Sequence, residues 1–133
     1  MGWASERKAI ETRLTTNWTT TPIKFDGVPF EETRNPYLAC TVVSGDRNPI
    51  DLSNTGTVRS IALVIVQIFI PADTGMALAK TYADSIAAIF DRAQFFTDDG
   101  DLISCQVARA EYAGHADGWG QFNVTVPYTR DEN

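Results

Sequence analysis

Residues that usually carry catalysis or bind metals are scarce in this chain of 133 residues. It has one histidine, His115, and two cysteines, Cys40 and Cys105, without a CxxC pair or a nucleophile with its base. His115 lies in the glycine-containing segment before the last strand, which predicts a solvated loop residue. The acids of 98–101 are not spaced at the alternate positions of an EF-hand loop. The sequence therefore predicts no catalytic, cofactor-binding or metal-binding residues.

Phosphate-binding loops and membrane-spanning stretches are also missing. There is no GxxxxGK[ST] or GxGxxG motif, so nucleotide binding lacks its usual loop. The longest apolar run, Ile61–Ile70, is interrupted by Gln67 and is far shorter than the ~20 residues that span a bilayer as a helix. The N-terminus has no apolar signal-peptide core, so we expect a protein of the reducing cytoplasm. Its two cysteines are then expected to be buried free thiols, although the sequence leaves a disulfide between them open.

Basic residues are outnumbered, with 11 lysines and arginines against 17 aspartates and glutamates and a net charge of −6. Nucleic-acid binding gains most of its affinity when cations neutralise phosphates. This excess of acidic residues argues against tight binding to DNA or to an anionic membrane. An acidic protein is nevertheless suited to lie beside DNA without adhering to it.

The length and the hydrophobic content of 44% fit one globular domain. We find no internal repeat and no domain boundary, so residues 1–133 are expected to be a single domain with 128–133 as a polar tail. The element order α-β-β-β-α-β-β predicts the α+β class, with one mixed, mostly antiparallel sheet packed with two helices.

Two helices are predicted from apolar residues at helical spacing. The first covers residues 5–18, with Ser5 as its cap and Ile10, Leu14 and Trp18 along one face. The second, Met76–Arg92, carries many alanines on its apolar face, which allows close approach to a sheet.

Strands are predicted at Tyr37–Val43, Val58–Ile70, Leu102–Tyr112 and Trp119–Tyr128, after a short extended piece at Pro22–Phe25. Val58–Ile70 is β-branched and apolar on both faces, which indicates a central strand. We expect a helix on one of its faces and a second sheet or a neighbouring subunit on the other. The linker Ala113–Gly118 joins the last two strands as a hairpin.

Several residues are candidates for contact with other proteins. The segment Ser44–Thr57 is rich in turn formers and is interpreted as a long contact loop, with a plain hairpin tip as the alternative. Trp3 precedes the first helix and favours an interface, whereas Trp119 fits core and interface equally. The last strand is a candidate edge, because Pro127 lacks an N–H donor. The candidate interface residues are Trp3, Asp46, Arg47, Ile50, Leu52 and Trp119.

Longer segments carry a family resemblance in their order and spacing. After the first helix come TNWTTTPIKFDGVPFE and NPYLACTVVSGD, then TVRSIALVIVQIFIPADTGMALAKTYADSIAAIF, and finally DGWGQFNVTVPYTRDE. Over nearly its whole length the chain resembles the tail-terminator-like proteins of long-tailed bacteriophages. The stretches VQIFIPADTG and WGQFNVTVPY contribute most to this resemblance.

The resemblance implies a structural virion protein without cofactor or catalytic residues. Such proteins form a ring, commonly a hexamer, at the head-proximal end of the tail tube, where they stop tube polymerisation. The implied partners are copies of the chain itself, the tail tube protein and a head-completion or neck protein. DNA would pass through the acidic bore without specific binding, and no membrane is involved. The implied location is the head–tail junction of the virion, after synthesis in the bacterial host cytoplasm.

Two alternatives remain open at the level of the sequence. The nearer one is another neck or head–tail connector protein, since these share small α+β folds. The other is a small-ligand-binding domain or an enzyme of unfamiliar type, with a pocket between the second helix and the sheet. A monomer with an apolar cavity would favour the latter, and a ring in electron micrographs would favour the terminator.

Overall fold

The computed structural model describes residues 2–28, 35–50, 56–72 and 74–132. These residues form two helices and a sheet of seven strands. The elements are α1 (Trp3–Asn17), β1 (Ile23–Phe25), β2 (Tyr37–Pro49), β3 (Val58–Pro71), α2 (Ala77–Phe90), β4 (Gln94–Phe96), β5 (Leu102–Cys105), β6 (Arg109–Ala116) and β7 (Trp119–Glu132).

The strands form one sheet in the order β1-β2-β3-β7-β5-β4, and β6 pairs with β7 beside β5. β1 runs parallel to β2, and every other described pair is antiparallel. The prediction of an α+β fold with a mixed, mostly antiparallel sheet is therefore confirmed, with two more strands than the sequence indicated.

The sheet has two unlike faces because side chains alternate along each strand. On the inner face, Val64, Val66 and Ile68 of β3 are fully buried in one core with the apolar residues of both helices. Ala79 and Ala83 of α2 belong to the same core, as expected for a helix that lies close to a sheet. On the outer face, the alternate residues of β3 are only partly buried, and Ile61 is 53% exposed. The expected one-sided helical cover of the central strand is thus present.

Both helices differ from the sequence prediction at their ends. α1 begins at Trp3 with Gly2 at its N-cap, so Ser5 lies inside the first turn and does not cap it. The Ser5 hydroxyl instead donates to the carboxylate of Asp99, which brings the loop after β4 against the helix. α2 ends at Phe90, and Arg92 lies beyond it with a positive φ of 54°.

The interpretation of Ser44–Thr57 as a loop is wrong for residues 44–49. These continue β2 and pair with β3 as far as Pro49 opposite Val58, with a register shift between Ser44 and Arg47. At Gly45 an added Cβ would lie 2.6 Å from the carbonyl oxygen of Ile61, so a glycine permits this close approach. Residues 51–55 lie outside the described residues.

The predicted strand Leu102–Tyr112 is two strands, because pairing with β7 is interrupted at Gln106–Ala108. The second of these, β6, also includes most of the predicted linker, so His115 lies on a strand and not in a loop. The turn is made by Asp117 and Gly118, both with positive φ, which suits a tight hairpin.

The prediction that β7 lies at an edge is also wrong. β7 pairs with β3 on one side and with β5 and β6 on the other, and it continues through residues 129–132, where a polar tail was expected. The carbonyl of Pro127 accepts from the Gln106 N–H at 2.9 Å, so it faces the interruption between β5 and β6. The N–H and C=O of one strand residue point to the same side. The donor that proline lacks would therefore face this interruption, where no ladder hydrogen bond is lost.

The burial of β3 gives a first prediction. Val66→Asp places a carboxylate in the core, and an unpaired buried charge costs at least several kcal/mol, comparable with the ~5–15 kcal/mol that stabilises a domain. We expect Val66→Asp to accumulate in the insoluble fraction. Ile61→Asp, on the outer face of the same strand, should remain soluble with nearly unchanged melting. Soluble Val66→Asp protein with wild-type melting would contradict the assignment of the core.

Candidate interaction surfaces

A buried arginine joins the two ends of the chain. Arg130 on β7 is 1% exposed, and its Nε donates to Glu6 Oε1 at 2.7 Å. Its Nη1 donates to Asp101 and Glu132, each at 2.9 Å, and its Nη2 donates to Ser60 at 3.2 Å. These bonds fix the first turn of α1, the start of β5 and the ends of β3 and β7 around one guanidinium. We call these five residues the Arg130 cluster.

Gly2 is part of the same packing. A Cβ added there would lie 1.7 Å from Nη1 of Arg130, so the guanidinium fills the space that a side chain would need. The cluster was missed because residues 128–133 read as a polar tail. The alternation of Val124, Val126 and Tyr128 on the inner face, if continued by two residues, already places Arg130 among buried positions.

Two further ion pairs extend this network toward solvent. Arg47 Nε lies 3.0 Å from Glu132 Oε1, and Arg59 makes a bidentate pair with Asp131 at 2.7 and 2.9 Å. The hydrogen bond from Arg59 is the main cause that lowers the pKa of Asp131, and the bond from Arg47 is the main cause that lowers the pKa of Glu132. The network therefore holds the carboxylates of β7 in their charged form.

The structure gives the other titratable candidates structural roles. Cys40 and Cys105 are buried free thiols, as predicted, and burial raises their pKa values to about 12 and about 11. Thiols with such pKa values are protonated and unreactive at neutral pH. His115 contacts the hydroxyl of Tyr112.

Within the described residues, no three His, Cys, Asp or Glu side chains are grouped as metal ligands. Neither described helix has the length and apolar character needed to cross a membrane.

The predicted interface residues fall into separate places. Trp3, 55% exposed, and Arg47 line a small cavity of about 70 Å³ beside Arg130 and Glu132. Asp46 and Ile50 are exposed at the end of β2, with Ile50 at 51%. Trp119 lies at the opposite end of the sheet, with its ring edge-on to Tyr37 at 5.3 Å between centroids. Leu52 is outside the described residues. A role of these residues in contacts with other proteins stays a prediction.

One surface was not predicted. A groove of about 340 Å³ lies between α1 and β4, where the Arg13 guanidinium stacks over the ring of Phe95. Lys8 borders the groove and pairs with Asp98 at 2.6 Å. Phe96 is 69% exposed at the same edge. This surface was not expected because the sequence predicts no strand at Gln94–Phe96.

Comparison with known proteins identifies the family of this fold. A family model described as phage tail terminator protein matches residues 7–128. The chain belongs to the phage tail terminator family. It is therefore a structural protein of the phage tail, as the resemblance in its sequence implied.

Solved structures share this fold at low sequence identity. One has a TM-score of 0.80 at 16% identity, and the match covers 100% of this chain and 98% of that chain. A component of a structure titled "Virion of native gene transfer agent (GTA) particle" has a TM-score of 0.64 at 14% identity and 92% coverage of both chains. Among curated proteins, no relative matches the sequence.

We predict that Arg130 is far more important to stability than Arg59, a partly exposed arginine on the neighbouring strand β3. Arg130→Ala leaves Glu6 buried without its partner, and breaking a buried pair costs about 3–5 kcal/mol. Arg59→Ala removes a pair near the surface, with its side chains 42% and 20% exposed, worth about 0–1 kcal/mol. Urea unfolding of the two variants should show this difference, and equal losses would contradict it.

The lowered pKa values of Asp131 and Glu132 predict loss of stability in acid. A carboxyl whose pKa is depressed by folding stabilises the protein above its unfolded value of about 4, and the contribution is lost as the pH falls toward the folded value. We expect the free energy of unfolding to decrease as the pH is lowered through this range. Arg59→Gln should reduce the slope because it removes the main cause of the Asp131 shift. An unchanged slope in that variant would contradict this cause.

Proposed function

We propose that this protein caps the head-proximal end of the phage tail tube as a homo-oligomeric ring, with the hexamer that the family resemblance implies. The family match over residues 7–128 carries this proposal. In this function the ring ends tube polymerisation and presents a surface for head–tail joining. No step requires a catalytic residue or a cofactor.

The fold supports assembly into a ring in two ways. The sheet is open, with β1 at one side and β4 at the other, and strand edges readily accept another strand. Surfaces on opposite sides of a subunit allow a head-to-tail contact that repeats until the ring closes. The likeness to a component of a gene transfer agent virion agrees with a role in a particle of this kind.

The proposed partners are the tail tube protein on one side of the ring and a head-completion or neck protein on the other. The proposed location is the head–tail junction of the virion, reached after synthesis in the host cytoplasm. DNA would pass through the bore without specific binding, since the net charge of −6 disfavours adhesion to phosphates.

The test is tail assembly in host cells infected with a phage that lacks this protein. Without a terminator, tube polymerisation has no defined end, so we expect tails of uncontrolled length that fail to join heads. Electron microscopy measures the tail length, and infectivity measures joining. The wild-type chain supplied in trans should restore both, whereas the Val66→Asp chain should not.

Two outcomes would reject parts of the proposal separately. Tails of normal length that join heads efficiently in the absence of the protein would exclude the terminator function. Tails of normal length that remain unjoined would show that the protein acts in head–tail joining and does not control tail length.

A further inference from the structure

The second half of β2 presents a strand edge on one side of the sheet. β1 pairs with β2 only at Leu38–Cys40, and beyond that point no described strand lies on this side of β2. β2 nevertheless continues to Pro49, and the residues from Val43 to Ile50 are all exposed. Backbone N–H and C=O groups along such an edge are available to pair with another strand.

The opposite side of the sheet ends with β4, which pairs on one side with β5. Phe96 at its end has the most exposed ring among the large apolar residues of the described chain, at 69%. The groove between β4 and α1 lies directly beside it and is bordered by Lys8 and Arg13. A strand added to β4 would therefore cover the exposed ring of Phe96.

These two edges lie at the same level of the sheet. The pairing register connects Asn48 through Arg59, Asp131 and Leu102 to Phe96 in a single row. Four strand spacings of about 4.8 Å separate the ends of this row by roughly 19 Å, so the two edges do not meet within one molecule. A neighbouring copy would bring them together without a shift along the strands.

The edge of β6 is less suitable for this role. β6 pairs with β7 at residues 119–125, at the other end of the sheet. The corresponding part of β2 is the stretch that β1 already covers. A joint between β2 and β6 would therefore require one subunit to be displaced along the strands relative to the next.

The exposed side chains at the two edges lie on the same face of the sheet. Asn48 and Phe96 share a row with Arg59, which alternates along β3 with the buried Ser60 and therefore lies on the outer face. Ile50 is two residues beyond Asn48 and is 51% exposed. Asn48 and Ile50 of a neighbouring subunit can therefore cover the ring of Phe96.

We propose that Val43–Ile50 of one subunit joins the β4 edge of the next, with Asn48 and Ile50 beside Phe96 on the outer face of the joined sheet. The joint rests on the proposed ring and names the surfaces that form it. It extends one sheet into the next, and because its two halves are different surfaces it repeats around the ring.

The test is cysteine cross-linking in assembled tails. The chain's own Cys40 and Cys105 are buried, so an engineered exposed pair reacts selectively. The variant Ile50→Cys/Phe96→Cys should give a ladder of linked subunits on denaturing gels after oxidation. Each single variant should remain monomeric. Ile50→Cys/Tyr112→Cys is the matched control, because Tyr112 on β6 is also 50% exposed. A second pair, Asn48→Cys/Phe96→Cys, tests the register of the row.

A charge introduced at the joint covers variants that fail to assemble before cross-linking. Phe96→Asp should reduce the yield of joined particles about tenfold, the effect of losing roughly 1.4 kcal/mol. Ile50→Lys in the same chain should restore the yield, because it places a cation beside the new carboxylate. Restoration, or a ladder from either cysteine pair, supports the joint. Rings in normal tails without a ladder from either pair overturn the joint and leave the proposed function intact, and so does failure of Ile50→Lys to restore assembly.

Discussion

The buried guanidinium of Arg130 is the constraint on which the rest of the structure depends. A charge with 1% exposure is tolerated only with several hydrogen-bonding partners, and here the partners come from α1, β3, β7 and the residue before β5. Elements from both ends of the sequence must therefore be in place together. The same requirement explains why the chain needs a glycine at position 2, where any side chain would occupy the space of the guanidinium.

This cluster also determines where the end of β2 lies. Glu132 accepts from Arg130 and from Arg47, so it links the buried charge to the bulge of β2. β3 and β7 remain paired up to Val58 opposite Glu132, which supports β2 almost to its last residue. An overhanging hairpin tip would lack this support. The segment interpreted from sequence as a loop is a strand because two neighbouring strands and an ion pair continue beside it.

The sequence predicted the parts of the fold that depend on local periodicity. The stripe of Ile10 and Leu14, the alanine-rich α2 and the doubly apolar β3 all lie where they were expected. The errors concern features that depend on distant residues. Pro127 suggested an edge because a missing donor is normally exposed there, but its partner side is an interruption between β5 and β6 that no local pattern reveals. Arg130 was assigned to a polar tail because of its charge, but its burial depends on Glu6, Asp101 and Ser60, which are distant in sequence, as well as on Glu132. The short strand β4 has no periodicity of its own and exists by pairing with β5.

The candidate surfaces differ in the same way. Asp46, Arg47 and Ile50 were recognisable as a group because they are close in sequence, whereas the β4 groove combines α1 with residues about 80 positions later. A ring closes only if the angle between the two edges is the same in every subunit. This requirement concerns both surfaces together and not either one alone. In the proposed joint, that angle is set by the row from Asn48 to Phe96, which passes through Arg59 and Asp131. The Arg130 cluster lies at the neighbouring positions of the same strands, on the inner face. A buried ion network is costly as a source of stability, but it is well suited to hold two edges of a sheet in a fixed relation.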